Sequence, residues 1–543
     1  MEPTPSLFRV GQARVTAGLD RQPRLDMAAH RAVFGTLPGP SAADLIEMCE
    51  QVDLRGRGGA AFPVARKLRA VLTANSRGKR RPVVVVNGTE GEPGSSKDKM
   101  LLARSPYLVL DGALIAARAL NAREIVVALA GDGPHARSML EAVAADSRIS
   151  RMVRVVSVPD RFVSGESSAL VNAVNGNRAL PPGVKTRTSD SGVHGMPTLL
   201  SNAETFAQLA VLAMLGPVGY ASAGDPDEPG TVLLTVGGSV GQPAVVETPT
   251  GESLGHILDI CQASPAHGVL VGGYHGMWLT PEAAYNIPVS RAGLASAGGL
   301  LGAGVVLVLG EETCPLSEVA RVAGYMAGQS SGQCGPCKLG LPALAQSLAA
   351  ITAGSGGLDQ VEAVRRTAGG IRGRGACHHP DGTGRFVTSA LDVFADDLSQ
   401  HLFRGSCGRP ALGVLPLPAE HRETQLTVDW TRCQGHGLCA RLVPELVQID
   451  GHGYPEFLDA PVPFWLSRDA KQAVDMCPAL ALSLTRVKEE PGRSALPGPV
   501  RASVPDLTSR SAGMPALTKR AKRDADIAMN SAWIAALGDG RVE

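Results

Sequence analysis

Two uninterrupted apolar runs, Val83–Val86 and Ile125–Leu129, stand on either side of a helical pattern at Leu108–Leu120. A β-branched run without polar alternation is the pattern of a strand buried on both faces, and strands joined through helices pair in parallel. No other feature limits the fold as strongly, because it requires an open α/β sheet covered by helices. The helical stretch His135–Ala145 continues the alternation, and the unit runs to about Leu215. Ahead of it, Ser41 offers an N-cap to a helix with Leu45, Ile46, Cys49 and Val52 at helical spacing. In a chain of 543 residues, at about 150 residues per domain, three or four domains are expected.

Beyond Leu215 the pattern changes. Thr231–Gly237, Ala244–Thr248 and Val269–Gly272 have the character of short strands broken by Gly and Pro, with one helix at Ser253–Cys261. From Pro315 to about Leu402 the chain is helical, and prolines at 411–420 mark a linker. The expected fold class is multidomain α/β. Its divisions are a poorly ordered lead-in at 1–40, an α/β domain at 41–225 and a small α+β domain at 226–285. A helical domain at 286–407, a linker at 408–423 and a second small α+β domain at 424–487 follow. The tail at 488–543 is expected to be mostly disordered, with a short helix near 525–537.

Charge and hydropathy exclude several classes of function. Lys plus Arg number 52 and Asp plus Glu 51, a net charge of +1, so nucleic acid and anionic membranes are not the expected partners. The N-terminus lacks the basic and apolar regions of a signal peptide. Ala292–Gly310 carries no charge over 19 residues, yet six are glycine, and a glycine-rich loop entering a buried strand at Val305–Leu309 is expected instead of a membrane span. No transmembrane segment and a cytoplasmic location are the expectation. In that compartment the ten cysteines are metal ligands or small buried hydrophobes rather than disulfides.

Arg55-Gly56-Arg57-Gly58-Gly59-Ala60-Ala61-Phe62-Pro63, followed by Lys67, lets backbone amides approach a phosphorylated or flat ligand beside positive charge. It is neither a P-loop nor a G-x-G-x-x-G turn. Asn87-Gly88-Thr89-Glu90-Gly91-Glu92-Pro93-Gly94 then follows the first buried strand, at the end where open α/β sheets bind ligands. Gly165-Glu166-Ser167-Ser168 and Gly195-Met196-Pro197-Thr198 leading to Asn202 come next.

In this combination and order the motifs resemble the NADH-oxidising (51 kDa-type) flavoprotein subunit of respiratory complex I and the related subunits of NAD-linked hydrogenases and formate dehydrogenases. The resemblance covers about residues 45–405. It implies an FMN-binding domain at 41–225, a soluble ligand-binding β-grasp domain at 226–285 and an iron–sulfur domain at 286–407. It implies FMN held by Gly58, Gly59, Lys67, Asn87, Glu90, Gly165, Glu166 and Asn202, with Phe62 and Glu92 near the nicotinamide of NADH, and Glu92 as the catalytic candidate. It also implies a thioredoxin-like companion subunit. Thr89 and Ser167 stand where the family has acids, Phe162 where it has tyrosine, and Ala70 and Arg187 where it stacks adenine on aromatics. Each lost stack costs roughly 1–3 kcal/mol by analogy with nucleic-acid binding, which makes FMN retention the safer expectation than NADH affinity.

Cys334-Gly335-Pro336-Cys337 with the distant Cys377 suits thiolate ligation of an iron–sulfur cluster. The resembled family places cysteine at the position of Ser331 and holds a [4Fe–4S] cluster. Here Ser331 through oxygen, His378 or His379, a three-iron centre, or no cluster remain open. Cys433-Gln434-Gly435-His436-Gly437-Leu438-Cys439, with Cys477-Pro478 later, resembles small bacterial ferredoxins that carry one [3Fe–4S] cluster and commonly serve cytochromes P450. A ferredoxin-like domain at 424–487 is implied, with His436 a neighbour of the cluster; a Cys₃His zinc site is the rival. Cys49, Cys261, Cys314 and Cys407 are expected to be isolated buried residues.

The leading expectation is therefore an NADH dehydrogenase-like flavoprotein. It would pass electrons through FMN and iron–sulfur centres to a redox protein such as a cytochrome P450 or another oxygenase. An electron relay without its own NADH oxidation is the second reading, and a non-redox scaffold the third.

Overall fold

The computed structural model describes residues 6–486 except 79, 132, 184–185, 419–423, 445, 458–461 and 463–466. The expected tail and its helix near 525–537 lie outside the described residues. The first buried run becomes the strand Val83–Gly88, central in a parallel four-stranded sheet ordered 153–158, 124–130, 83–88 and 198–202. Val84 and Val86 pack with the helices Pro106–Ala119 and Ala203–Tyr220, while Val83 and Val85 pack on the opposite face with Leu170, Val171 and Val174. Both faces are dry, so no polar residue interrupts the run. The helices 106–119 and 203–220 approach so closely that a Cβ on Gly112 would collide with the Phe206 carbonyl. Only glycine fits there. The helix Ala42–Gln51 begins as expected, in a reciprocal cap between Ser41 and Asp44 with both bonds at 3.2 Å.

Residues 6–40 correct the expected lead-in. Ser6–Arg9 is a strand paired in parallel with Ala244–Pro249, and Asp26 caps the helix Met27–Phe34. The buried Glu247 carboxylate accepts the amides of Arg14, Val15 and Thr16 at 3.0, 2.9 and 3.0 Å, which fixes this segment onto the sheet. Val15, Leu19 and Leu25 complete the attachment in the core.

The division at 285 is also corrected. A six-stranded mixed sheet runs in the order 6–9, 244–249, 231–238, 305–310, 266–271 and 277–279. Val305–Gly310 lies in its middle, parallel to 231–238 and antiparallel to 266–271, with all six residues buried. An apolar run without alternation belongs at a sheet centre, and this one follows a glycine-rich segment as expected.

Five helices, Pro315–Gly328, Leu341–Thr352, Leu358–Ile371, His379–Val393 and Ala395–Arg404, form the helical unit. The first part of the expected linker is packed onto it. Glu318, fully buried, accepts the amides of Gly413 at 2.6 Å and Leu415 at 3.2 Å, and the Tyr274 hydroxyl donates to the Pro416 carbonyl at 2.5 Å. Residues 424–486 contain two antiparallel pairs, 424–428 with 482–486 and 447–449 with 455–457, and the helices Leu438–Leu442 and Ser467–Asp475. Leu426, Cys439, Val443, Val447 and Ala470 form its own small core. Among the described residues no single helix is long and apolar enough to cross a membrane.

Candidate functional site

The carboxyl ends of two adjacent parallel strands place Asn87 directly beside Asn202. The Asn87 amide donates to the Gly165 carbonyl at 2.9 Å, and its oxygen accepts the Thr89 hydroxyl at 2.7 Å. A Cβ on Gly165 would lie 2.9 Å from that hydroxyl, so the glycine permits this closure. Asn202 caps the following helix through the Glu204 amide at 3.0 Å and donates to Asp98 at 2.6 Å. The glycine-rich loop comes down on this pair, with a Cβ on Gly58 only 3.1 Å from the Asn202 Cβ. Four widely separated motifs therefore meet at the strand ends, the ligand-binding edge of an open α/β sheet.

Beside them opens a cavity of about 720 Å³, in the range of cofactor sites. Phe62, Lys67, Ala70, Glu166, Arg187 and Cys377 are among its lining residues. The Lys67 ammonium donates to the Leu200 carbonyl at 3.0 Å, and burial lowers its pKa from the usual lysine value. Phe62 is 41% exposed, with the cations of Arg66 and Lys67 at 5.4 and 5.9 Å from its ring centre. Glu166 accepts the amides of Ser168 and Ala169 at 2.9 and 3.0 Å and thereby caps the helix Ser167–Val174. Gly59 lines a second cavity of about 220 Å³ with Lys97, Glu204 and Arg291.

Neither Glu90 nor Glu92 is among the residues that line the larger cavity. Glu90 accepts the amides of Asp98 at 3.0 Å and Lys99 at 2.8 Å and the hydroxyl of Ser95, and so orders the start of the helix Lys97–Arg104. Its pKa is raised by burial and then by the Asp98 charge. Lys97 completes this buried group, 3.0 Å from Asp98 and 2.8 Å from Glu204. Glu92 accepts the Tyr274 amide at 3.0 Å, 182 residues away, beneath the tight turn at Gly273. Burial pushes its pKa from 4.5 up to about 8, against the opposing hydrogen bonds of the Tyr274 and Gly94 amides. Glu90 is expected at the flavin and Glu92 at the nicotinamide; in this geometry both carboxyls accept backbone amides.

Glu92 gives a pH dependence of known sign. The folded protein holds a proton that the unfolded chain releases above about pH 4.5, so stability falls between there and about pH 8, by about 1.4 kcal/mol per unit. Glu92→Gln should flatten that slope when denaturation midpoints are compared at about pH 5 and about pH 8. Equal slopes in both proteins would show that Glu92 is ionised when folded.

One member of the first cysteine set, Cys377, lies in the cavity wall. Cys337 sits on a wide turn in which the Leu341 amide bonds back to the Pro336 carbonyl, a geometry common at functional sites. Burial acts to raise the Cys334 thiol, but hydrogen bonds from the Ala376 and Cys337 amides prevail and lower it. Cys337 is pushed up to about 11 by burial and the neighbouring Cys334. The Ser331 hydroxyl lies 4.0 Å from the Cys337 sulfur. Three thiols are donors that suit an iron–sulfur centre.

The second set, Cys433, His436, Cys439 and Cys477, lines one small cavity together with Pro478. Gly435 and Gly437, at φ 69° and 70°, make the left-handed turns that bring Cys433 and Cys439 to the same side. Cys314 and Cys407 are not isolated as expected. The Cys314 sulfur is 3.2 Å from His401 Nε2, and these two atoms and the Cys407 sulfur all lie within 4.8 Å of one another. Residues 87 positions apart carry no local signal of such a meeting.

Fold and site together define an iron–sulfur flavoprotein. Residues 49–211 match the Nuo51 FMN-binding domain, residues 317–401 the NADH-ubiquinone oxidoreductase-F iron-sulfur binding region, and residues 426–484 a 4Fe-4S single cluster domain. The F 2 subunit of the NADH-quinone oxidoreductase of Rhizobium meliloti is 27% identical over 396 residues, 70% of this chain and 93% of the relative. The F subunit of the Streptomyces coelicolor NADH-quinone oxidoreductase is 29% identical over 382 residues, 67% of this chain and 84% of the relative. A crystal structure of an NAD+-reducing [NiFe]-hydrogenase superposes with a TM-score of 0.64 at 27% identity, covering 74% of this chain and 68% of that one. Over these regions the chain is similar to the 51 kDa-type NADH-oxidising flavoprotein subunits, and the matches support an NADH dehydrogenase-like oxidoreductase with a ferredoxin-like C-terminal domain.

Proposed function

We propose that the chain oxidises NADH at the 720 Å³ cavity and sends the electrons through the Cys334–Cys337–Cys377 site and the Cys433–Cys439–Cys477 site to a separate redox protein. The observation that carries this reading is that Cys377 lines the same cavity as Lys67 and Glu166, so the first electron acceptor begins at the wall of the binding site. FMN, when bound, supplies the conversion of a two-electron hydride into single electrons. Gly58, Asn87, Gly165 and Asn202 meet at the strand ends beside this cavity, and Gly59 lines the smaller one. Lys67 spends one of its three N–H groups on Leu200, leaving the others for an anionic or carbonyl oxygen of the ligand. Phe62 offers an exposed ring face to the nicotinamide nucleotide. Glu90 and Glu92 position the loop after the first strand, and Glu92 serves the reaction by holding that loop against Tyr274.

The C-terminal site has three cysteines, and we infer a [3Fe–4S] centre there, with His436 beside it. The acceptor is a protein such as a cytochrome P450 or another oxygenase in the cytoplasm, and a thioredoxin-like subunit is the natural companion of the flavin half. A second reading, electron relay without NADH oxidation, is favoured by Ala70 and Arg187 in the cavity wall, where the resembled family stacks adenine.

An anaerobic NADH titration separates the two. Loss of the flavin's blue absorbance at stoichiometric NADH is the expected result. A flavin that stays oxidised under NADH but is reduced by dithionite would leave only the relay.

A further inference from the structure

We propose that Ser331 is the fourth protein ligand of the first iron–sulfur site and binds iron through its deprotonated Oγ. The inference rests on the reading that Cys334, Cys337 and Cys377 hold a cluster. A four-iron cluster offers four corners and the cysteines fill three. The neighbours that compete for the fourth are His378, His379 and Ser331.

His379 is committed elsewhere. Its Nε2 lies 2.8 Å from the Met326 carbonyl and its Nδ1 lies 3.1 Å from His275 Nε2, so both ring nitrogens are occupied in a buried pair. Phe162 closes over that pair, with ring centres 4.8 Å from His275 and 5.5 Å from His379. His378 is 94% exposed at its side chain and faces Asp381 at 3.4 Å. Ser331 differs from both. Its Oγ is 4.0 Å from the Cys337 sulfur, close enough for the two to share one cluster. Gly332, at φ 66°, turns the chain between Ser331 and Cys334 in a conformation that other residues adopt only with strain. Ser331, Cys334 and Cys337 then follow one another at an even three-residue spacing.

Ligation breaks the serine O–H bond, forms one Fe–O bond and releases one proton to solvent, with no change in oxidation state. An alkoxide is a harder donor than a thiolate and favours the more oxidised iron. The centre should therefore have a lower midpoint potential than an all-thiolate one, and a potential set this way belongs to this chain's own sequence.

The test uses the full chain carrying Cys439→Ala, so that only the first centre contributes, prepared anaerobically. Iron, acid-labile sulfide, electron paramagnetic resonance and the midpoint potential are measured. Ser331→Ala is expected to lose one iron per chain and to show a three-iron signal in the oxidised state. Ser331→Cys is expected to keep four irons and to move the midpoint potential upward. Full iron and an unmoved potential in both variants would overturn the assignment of Ser331. If Cys334→Ala also leaves the iron unchanged, the first site holds no cluster, and the reading beneath the proposal falls with it.

Discussion

Replacing Cys439 with alanine should remove one whole redox centre and leave the flavin in place. Cys439 is 8% exposed in the small core of the C-terminal unit, at the start of the helix Leu438–Leu442, and it lines the cavity shared with Cys433 and Cys477. That core is separate from those around the flavin cavity, so loss of this ligand does not propagate to Lys67 or Asn202. Iron should fall by about three atoms per chain for a three-iron centre, or about four for a cubane. Flavin content and the extent of flavin reduction by NADH should stay the same, while electron delivery to a protein acceptor should drop by at least an order of magnitude. Iron analysis beside flavin released on heating reads both quantities from one preparation. Flavin lost in step with iron would mean that the C-terminal unit supports the flavin half directly.

Lys67→Met should cost most of the FMN. The ammonium is a half-buried cation of the cavity wall, and its bond to the Leu200 carbonyl ties the helix after the glycine-rich loop to the strand beneath. Hydrogen bonds involving a charged group are worth about 1.5–3 kcal/mol. Losing one should raise the FMN dissociation constant about 10- to 150-fold. Methionine keeps the length and apolar stem of the side chain, so folding is preserved. Fluorescence of released flavin under dilution measures the change. Retention equal to that of the unaltered protein would place the flavin away from Lys67.

The same geometry accounts for one of the substitutions that separate this chain from the resembled family. Thr89 keeps a hydrogen bond to Asn87 where an acid is expected, and so still holds the loop in place. Ala70 and Arg187 both line the larger cavity.

Much of the architecture was legible from residue order alone. Val83–Val86 and Val305–Leu309 announce central strands because burial on both faces excludes polar residues, and Ser41 announces its helix because an N-cap is satisfied within four residues. The close cysteine pair of each set is equally visible, since a metal centre calls for particular donor atoms, and the distant third cysteine completes each set. What stayed hidden depends on contacts between distant segments. The lead-in is held as a strand by contacts that include Glu247, residues 408–418 are packed over the buried Glu318, and Glu92 bonds to the Tyr274 amide. Sequence by itself determined the central strands, the capped helix after Ser41 and which side chains can carry chemistry, because those follow from local hydrogen bonding, periodicity and donor type. Tertiary structure decided which groups face the cavity and which serve as supports, because that depends on how whole layers pack, and a layer's position is set by side chains hundreds of residues away.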